Sequence, residues 1–261
     1  MKQRLLVINL TCLFATAFAL TTFLHELAHA LTANILGIES TLFHSYVSYD
    51  DDQVSKTHQM LIAANGPLFS LLQAVICFVL IRKRKSADFG GIFLWWMAVI
   101  GTVVFLGYVM MGPFIPYGDT GKVYALLSIP PAVTLPLMGL AIFAIILFFK
   151  KATPLLKEML VTIKTALNLN GQQAFIQLFF IPVVIGTFLN LGNSLPAPTP
   201  ISLALPVVVS LTMIPSAIRL GKNEWTDSGS VFKFSLGSYW PIASMILSTI
   251  VLRFLASGLT L

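Results

Sequence analysis

Two histidines and a glutamate near the N-terminus have the types and the spacing for metal chemistry. They form the segment His25-Glu26-Leu27-Ala28-His29, an HExxH pattern. Residues four apart lie one turn apart on the same face of a helix, so the two imidazoles can bind one metal ion. Glu26 stands beside them, where it can take a proton from a water that zinc has made acidic, with a pKa of about 7. The pattern predicts a zinc site with His25 and His29 as ligands and Glu26 as the catalytic base.

The same pattern also occurs by chance on surface helices of unrelated proteins. Here it lies within a long apolar run, where an acidic or basic side chain near the bilayer centre costs about 2.5–3.5 kcal/mol. Such residues persist mainly where they face the interior of a helix bundle and carry a function. The context therefore favours a metal site over an inert polar cluster.

The composition is that of a membrane protein. Of the 261 residues, 57% are hydrophobic and only 10% are charged, whereas soluble domains carry about 25% charged residues. Cys12 and Cys77 both lie inside apolar runs, where a cysteine behaves as a small apolar side chain. We expect neither a disulfide nor a metal ligand from them.

Seven apolar runs are long enough to cross a bilayer, which takes about 20 residues per helix. The first begins after Met1-Lys2-Gln3-Arg4, as a signal peptide does, but it continues to Ile35 and is read as an uncleaved helix. The sequence thus predicts an all-α polytopic membrane protein. The runs cover residues 5–35, 59–81, 91–111, 128–149, 172–191, 201–219 and 239–258.

The basic residues define an orientation. Thirteen of the sixteen lie on one side of the predicted helices, and the positive-inside rule assigns that side to the cytoplasm. The N-terminus is then cytoplasmic, the C-terminus is outside, and the protein belongs to a cell membrane, most simply the bacterial inner membrane. The net charge of +6 is explained by this asymmetry, so no nucleic-acid partner is expected. The thirteen are Lys2, Arg4, Arg82, Lys83, Arg84, Lys85, Lys150, Lys151, Lys157, Lys164, Arg219, Lys222 and Lys233; the others are Lys56, Lys122 and Arg253.

Two connectors have a recognisable pattern. Residues 37–57 alternate polar and β-branched or aromatic side chains, which predicts a short outer β-like connector, with strands or a hairpin. Residues 152–169 place leucines at helical spacing against Lys157, Glu158 and Lys164. That segment is interpreted as an amphipathic helix at the cytoplasmic interface, with a solvated linker helix as the alternative.

A catalytic zinc needs a third protein ligand at the depth of the histidines. His25 and His29 lie about 30–36 Å along the first helix from Leu5, in its outer half. Of the ten acidic residues, Asp119 lies at that depth, in a Pro- and Gly-rich segment that can fold back toward the bundle. The alternatives are that Asp119 lies in an ordinary outer turn, or that His44 or His58 is the third ligand.

Asn65 precedes Gly66-Pro67 within the second apolar run. A Gly-Pro pair can kink a membrane helix and free backbone groups. The Asn65 amide is then a candidate substrate-binding group. The equally open alternative is a structural kink with a helix-to-helix hydrogen bond.

Together these residues resemble the site-2-protease (M50, M50B-like) family of intramembrane zinc metalloproteases. The resemblance rests on His25-Glu26-Leu27-Ala28-His29 in the first core helix, Gly66-Pro67-Leu68 in the next and Gly118-Asp119 after the third, and it covers about residues 20–125. It implies a three-helix catalytic core with zinc on His25, His29 and Asp119 and Glu26 as base. It also implies cleavage of a transmembrane or membrane-associated protein substrate in the lipid bilayer.

The chain departs from the family pattern Asn-x-x-Pro-x-Pro-x-Leu-Asp-Gly. Only Pro116 and Asp119 match it. Ser70 stands where the family often has Asn. The departing positions are Met111, Phe114, Gly118 and Thr120, where the family has Asn, Pro, Leu and Gly.

The expected organisation is a catalytic-core-like region, residues 1–125, followed by additional transmembrane helices, residues 126–261. The expected function is that of a zinc metalloprotease. Two alternatives remain open at this point. One is a catalytically silent metal-binding membrane protein, and the other is a transporter that uses the His25, Glu26 and Asp119 cluster as a polar pathway.

Overall fold

The protein is a bundle of helices. The computed structural model describes residues 2–84, 88–222, 225 and 238–261. Lys85 and Lys233, two of the basic residues that define the predicted orientation, lie outside the described residues. The helices are α1 (Lys2–Ile35), α2 (Lys56–Lys83), α3 (Phe89–Met111), α4 (Asp119–Leu126), α5 (Pro131–Ala166), α6 (Gly171–Phe175), α7 (Ile181–Asn193), α8 (Pro200–Leu211), α9 (Ile214–Lys222) and α10 (Trp240–Leu255).

Six helical segments in the described part of the chain are long and apolar enough to cross a membrane, which confirms the prediction of a polytopic membrane protein. Helices α6 and α7 join through a π-helical turn, Ile176–Phe180, into one such segment. The last of the seven predicted runs forms α10, whose 16 residues are fewer than in any of the six segments, so it is not among them. The six segments are Gln3–Ile35, Lys56–Lys83, Phe89–Met111, Pro131–Ala166, Gly171–Asn193 and Ser202–Gly221.

Helix α1 lies at the centre of the bundle, in contact with α2, α3, α7 and α10. Phe14 of α1 packs edge-on against Trp96 of α3, with ring centroids 4.8 Å apart, and Trp96 stacks on Phe179 at 5.9 Å. All three side chains are buried. Because lipid is as apolar as these rings, close packing holds the helices together. The cluster joins residues from both predicted regions into one core.

Helix α5 is longer than the sequence predicts. The sequence predicts that the span ends before Lys150 and Lys151, but the helix continues through them to Ala166. Leu156 and Ile163 are fully buried beyond that point, and the Trp95 indole donates to the Ala152 carbonyl oxygen at 2.8 Å. Segment 152–166 is therefore helical as expected. The segment continues α5 instead of forming a helix of its own, and its apolar face is buried inside the protein. Its placement at the cytoplasmic membrane interface stays a prediction.

The connector after α1 contains the predicted hairpin. Strand β1 (Thr41–Leu42) pairs antiparallel with β2 (Val47–Ser48), in the register Thr41 to Ser48 and Leu42 to Val47. A strand that the sequence did not indicate, β3 (Leu259–Thr260), pairs with the other edge of β1. Strand β3 thus holds the hairpin against the C-terminal part of α1, and the strand order is β2-β1-β3.

Candidate metal centre

Three predicted ligands converge between α1 and α4. The Nε2 atom of His25 lies 2.8 Å from Asp119 Oδ2, the Nε2 atom of His29 lies 3.2 Å from the same oxygen, and the two Nε2 atoms are 3.2 Å apart. Ligand atoms of a tetrahedral zinc with bonds of about 2.0–2.1 Å lie about 3.3 Å apart. The three atoms therefore have nearly the separations that a tetrahedral metal ion requires, and they form a possible metal-binding triad.

The far side of each imidazole has a partner that fixes its orientation. His29 Nδ1 donates to the Ile62 carbonyl oxygen of α2 at 2.6 Å. His25 Nδ1 lies 3.0 Å from the Ser70 hydroxyl, which itself donates to the Gly66 carbonyl oxygen at 3.2 Å. The Nε2 atoms of both rings thus face each other and the Asp119 carboxylate, and rings protonated on Nδ1 alone would present two lone pairs there. That donor set fits a cation, and such outer partners are typical of metal-ligating histidines.

Because Gly66 has no side chain, there is room beside it for the two imidazoles to meet. A Cβ atom at this position would lie 2.5 Å from His29 Cε1 and 2.8 Å from His25 Nε2. Any side chain there would therefore occupy the space between the ligand atoms. Helix α2 continues through Pro67. The backbone of Gly66, just before this proline, lies directly against the triad.

Asp119 is the first residue of α4, after an irregular segment that turns back from α3. The broken segment that the sequence predicted is therefore present. Gly121 allows this turn, because a Cβ there would lie 3.0 Å from the Gly112 carbonyl oxygen and closer still to that of Ile115. Burial alone would raise the pKa of the Asp119 carboxyl, but the imidazoles of His29 and His25 hold it below its usual range.

Glu26 is buried and lines a cavity of about 710 Å³ together with His29 and Asp119. Glu26 therefore borders the same cavity as two of the three candidate ligands, where a general base would have to lie. Helices α1, α3, α4 and α8 and the β1–β2 hairpin supply the walls of this cavity. A helix from the second predicted region therefore borders the site.

Two contacts that the sequence did not indicate brace the site. The Tyr108 ring of α3 stacks on His25, with centroids 5.1 Å apart and planes 12° apart. Lys122 of α4 binds Asp51 at 2.7 and 2.8 Å and the Tyr49 hydroxyl at 3.2 Å. These contacts raise the pKa of the Lys122 ammonium, although burial opposes them. Lys122 therefore ties α4, one turn after Asp119, to the hairpin connector.

The other candidate residues lie elsewhere. Asn65 donates to the Thr32 hydroxyl of α1, the helix-to-helix bond that was its alternative role, and it does not line the cavity. Its substrate-binding role stays a prediction. His44 is buried and lies 3.3 Å from the Ser194 carbonyl oxygen. His58 lies in the first turn of α2, where its backbone N–H donates to Ser55. Neither histidine joins the triad.

Sequence reasoning missed Gly66 and Ser70 as parts of the site. The sequence carries a weak signal for them, because they are four residues apart and share one face of α2. Nothing in the sequence states which face of α2 meets the histidines. The roles of Tyr108 and Lys122 depend on rotations of α3 and α4 that periodicity does not determine.

The fold and the site define a polytopic integral membrane protein with a candidate metal centre inside its helix bundle. Comparison with models of known protein families, with curated proteins and with solved structures finds no match. The residues of the site are therefore the basis for inferring the function.

Proposed function

We propose that this chain is a zinc-dependent endopeptidase that hydrolyses a peptide bond of a membrane-protein substrate within or near the bilayer. The observation that carries the proposal is the meeting of His25, His29 and Asp119 at tetrahedral separations beside a buried Glu26. Two imidazoles and one carboxylate are a ligand set of catalytic zinc sites, which leave the fourth position open.

The chemistry divides between the metal and the chain. Zinc at this position would lower the pKa of a water to about 7 and polarise a carbonyl group. Glu26 would accept a proton from the attacking water and pass it to the nitrogen of the leaving amine as the C–N bond breaks. Ser70 and the Ile62 carbonyl would keep the His25 and His29 Nε2 atoms turned toward the site.

The surroundings of the site support a membrane substrate. The cavity lies among helices that are long and apolar enough to cross a membrane. A transmembrane substrate helix must unwind there, because its peptide bonds are otherwise hydrogen-bonded and enclosed. We propose that the protein lies in the bacterial inner membrane with its N-terminus in the cytoplasm, and that it is a divergent member of the site-2-protease-like group.

The test has two parts. Purified full-length chain in detergent is analysed for metal in the wild type, Glu26→Gln and His29→Ala. We expect one zinc per chain in the first two and a large loss in His29→Ala. Zinc absent from the wild type would refute the metal site.

The second part compares the peptide N-termini in cell membranes that contain wild type or Glu26→Gln. The proposal predicts membrane-protein termini that occur only with the wild type. If both proteins hold zinc and the termini are identical, the chain is a metal-binding protein without peptidase activity.

A further inference from the structure

The cavity at the triad continues along α1, away from the outer end of the helix. Phe18, Thr22, Glu26 and His29 all line it, and their spacing of four, four and three residues places them in one stripe. From Glu26 back to Phe18 the distance is about 12 Å at 1.5 Å per residue. Three or four residues of extended peptide have that length.

Helix α8 supplies another wall of this cavity. Leu205, Val209 and Thr212 are separated by four and three residues, so they share one face, and all three line the cavity. Val209 is only 2% exposed, and it belongs to the same buried cluster as Phe18. Phe18, Leu205 and Val209 therefore make this end of the cavity mainly apolar.

The opposite end of the cavity is polar. Ser45, Ser48 and Tyr49 of the hairpin connector line it, together with Asp51 and Lys122. Two residues of the triad, His29 of α1 and Asp119 of α4, line the cavity between these ends. A peptide that crosses the triad would have an apolar stretch on one side of the scissile bond and a polar stretch on the other.

We propose that the end of the cavity between Phe18 and α8 is a pocket for an apolar side chain next to the scissile bond, and that Val209 limits the size of that side chain. The inference rests on the proposed peptidase function. It assigns the substrates as segments in which an apolar stretch of three or four residues adjoins the cleavage point. It also gives α8, which lies outside the predicted catalytic region, a role in specificity.

The experiment measures binding of two hydroxamates to the zinc-loaded full chain in detergent. One carries a leucine side chain and the other a naphthylalanine side chain. In Val209→Phe we expect the naphthyl compound to lose affinity at least tenfold relative to the leucine compound. Val209→Ala only removes methyl groups, and in this variant we expect the naphthyl compound to gain affinity relative to the leucine compound.

Val207→Phe is the matched control, because Val207 lies on the same helix, is 39% exposed and does not line the cavity. We expect it to bind both compounds as the wild type does. An unchanged ratio in both Val209 variants would overturn the pocket, as would failure of zinc-loaded wild type to bind either compound. If the ratio follows Val209 but membrane substrates are not cleaved, the pocket stands and the peptidase function fails. If membrane substrates are cleaved and the affinity ratio does not change, the peptidase function stands and the pocket fails.

Discussion

The backbone of Gly66 in α2 lies directly against the His29 imidazole in α1, and a Cβ at Gly66 would lie 2.5 Å from His29 Cε1. The same Cβ would lie 2.8 Å from His25 Nε2. The metal ligands therefore have room to meet only because residue 66 has no side chain. This relationship makes Gly66 part of the candidate metal centre, although it contributes no ligand atom.

Gly66→Ala should lose zinc. The methyl group would displace at least one imidazole, and disturbing a ligand's orientation typically costs about 10–100-fold in metal affinity. The measurement is zinc content and affinity of purified full-length chain. Gly139→Ala in α5 is the control, since a Cβ there meets nothing within 4 Å. Wild-type zinc affinity in Gly66→Ala would show that the metal is not held between these histidines.

Ser70→Ala should weaken zinc binding by about 10–100-fold. The substitution removes the partner of His25 Nδ1, so that the ring loses the contact that orients its Nε2 atom. The control is Ser248→Ala, because the Ser248 hydroxyl donates only to the Met245 carbonyl of its own helix. Competition with a chelator gives both affinities. Equal zinc affinity in the two variants would mean that Ser70 does not position His25.

The membrane helices were predictable because the bilayer fixes the length of an apolar helix. Asp119 was predictable because the depth of His25 and His29 left few acidic residues to pair with them. Both inferences depend on the depth of a residue along the membrane normal, which follows from its position in an apolar run at 1.5 Å per residue. The structure adds that the Asp119 carboxylate meets both histidines.

The rotation of each helix about its axis was not predictable. The site includes Gly66, Ser70 and Tyr108 because of the faces that α2 and α3 turn toward α1. Apolar residues occur on every face of these helices, so the sequence does not indicate which face packs on α1. The end of α5 was missed for another reason. Lys150 and Lys151 are exposed, while Phe149 and Ala152 beside them are buried, so charges that mark a membrane boundary do not mark the end of a helix.

Breaking the Lys122–Asp51 pair should lower zinc affinity only slightly. Asp51 is more than half exposed, and exposed pairs contribute at most about 1 kcal/mol, or about fivefold in affinity. Lys122→Met and Asp51→Asn both remove this link between α4 and the hairpin connector, and Lys122→Met also removes the bond to Tyr49. The double variant should therefore bind zinc about as well as Lys122→Met. Additive losses in zinc titrations would show that the two residues act on the metal centre separately.

Leu156→Ala should destabilise the protein by about 2–5 kcal/mol, the usual cost of removing a large side chain from a packed core. Leu156 is 1% exposed and lies in the part of α5 beyond Lys151, against the core around α3. Leu147→Ala, on the same helix but 41% exposed, makes the same change where lipid can fill the space, and it should cost much less. Unfolding of both variants by denaturing detergent gives the comparison. Equal stability of the two would mean that the second half of α5 does not pack on the bundle, and the separate interfacial helix would again be the better description. Zinc content should stay at the wild-type level in both variants, because neither residue touches the triad.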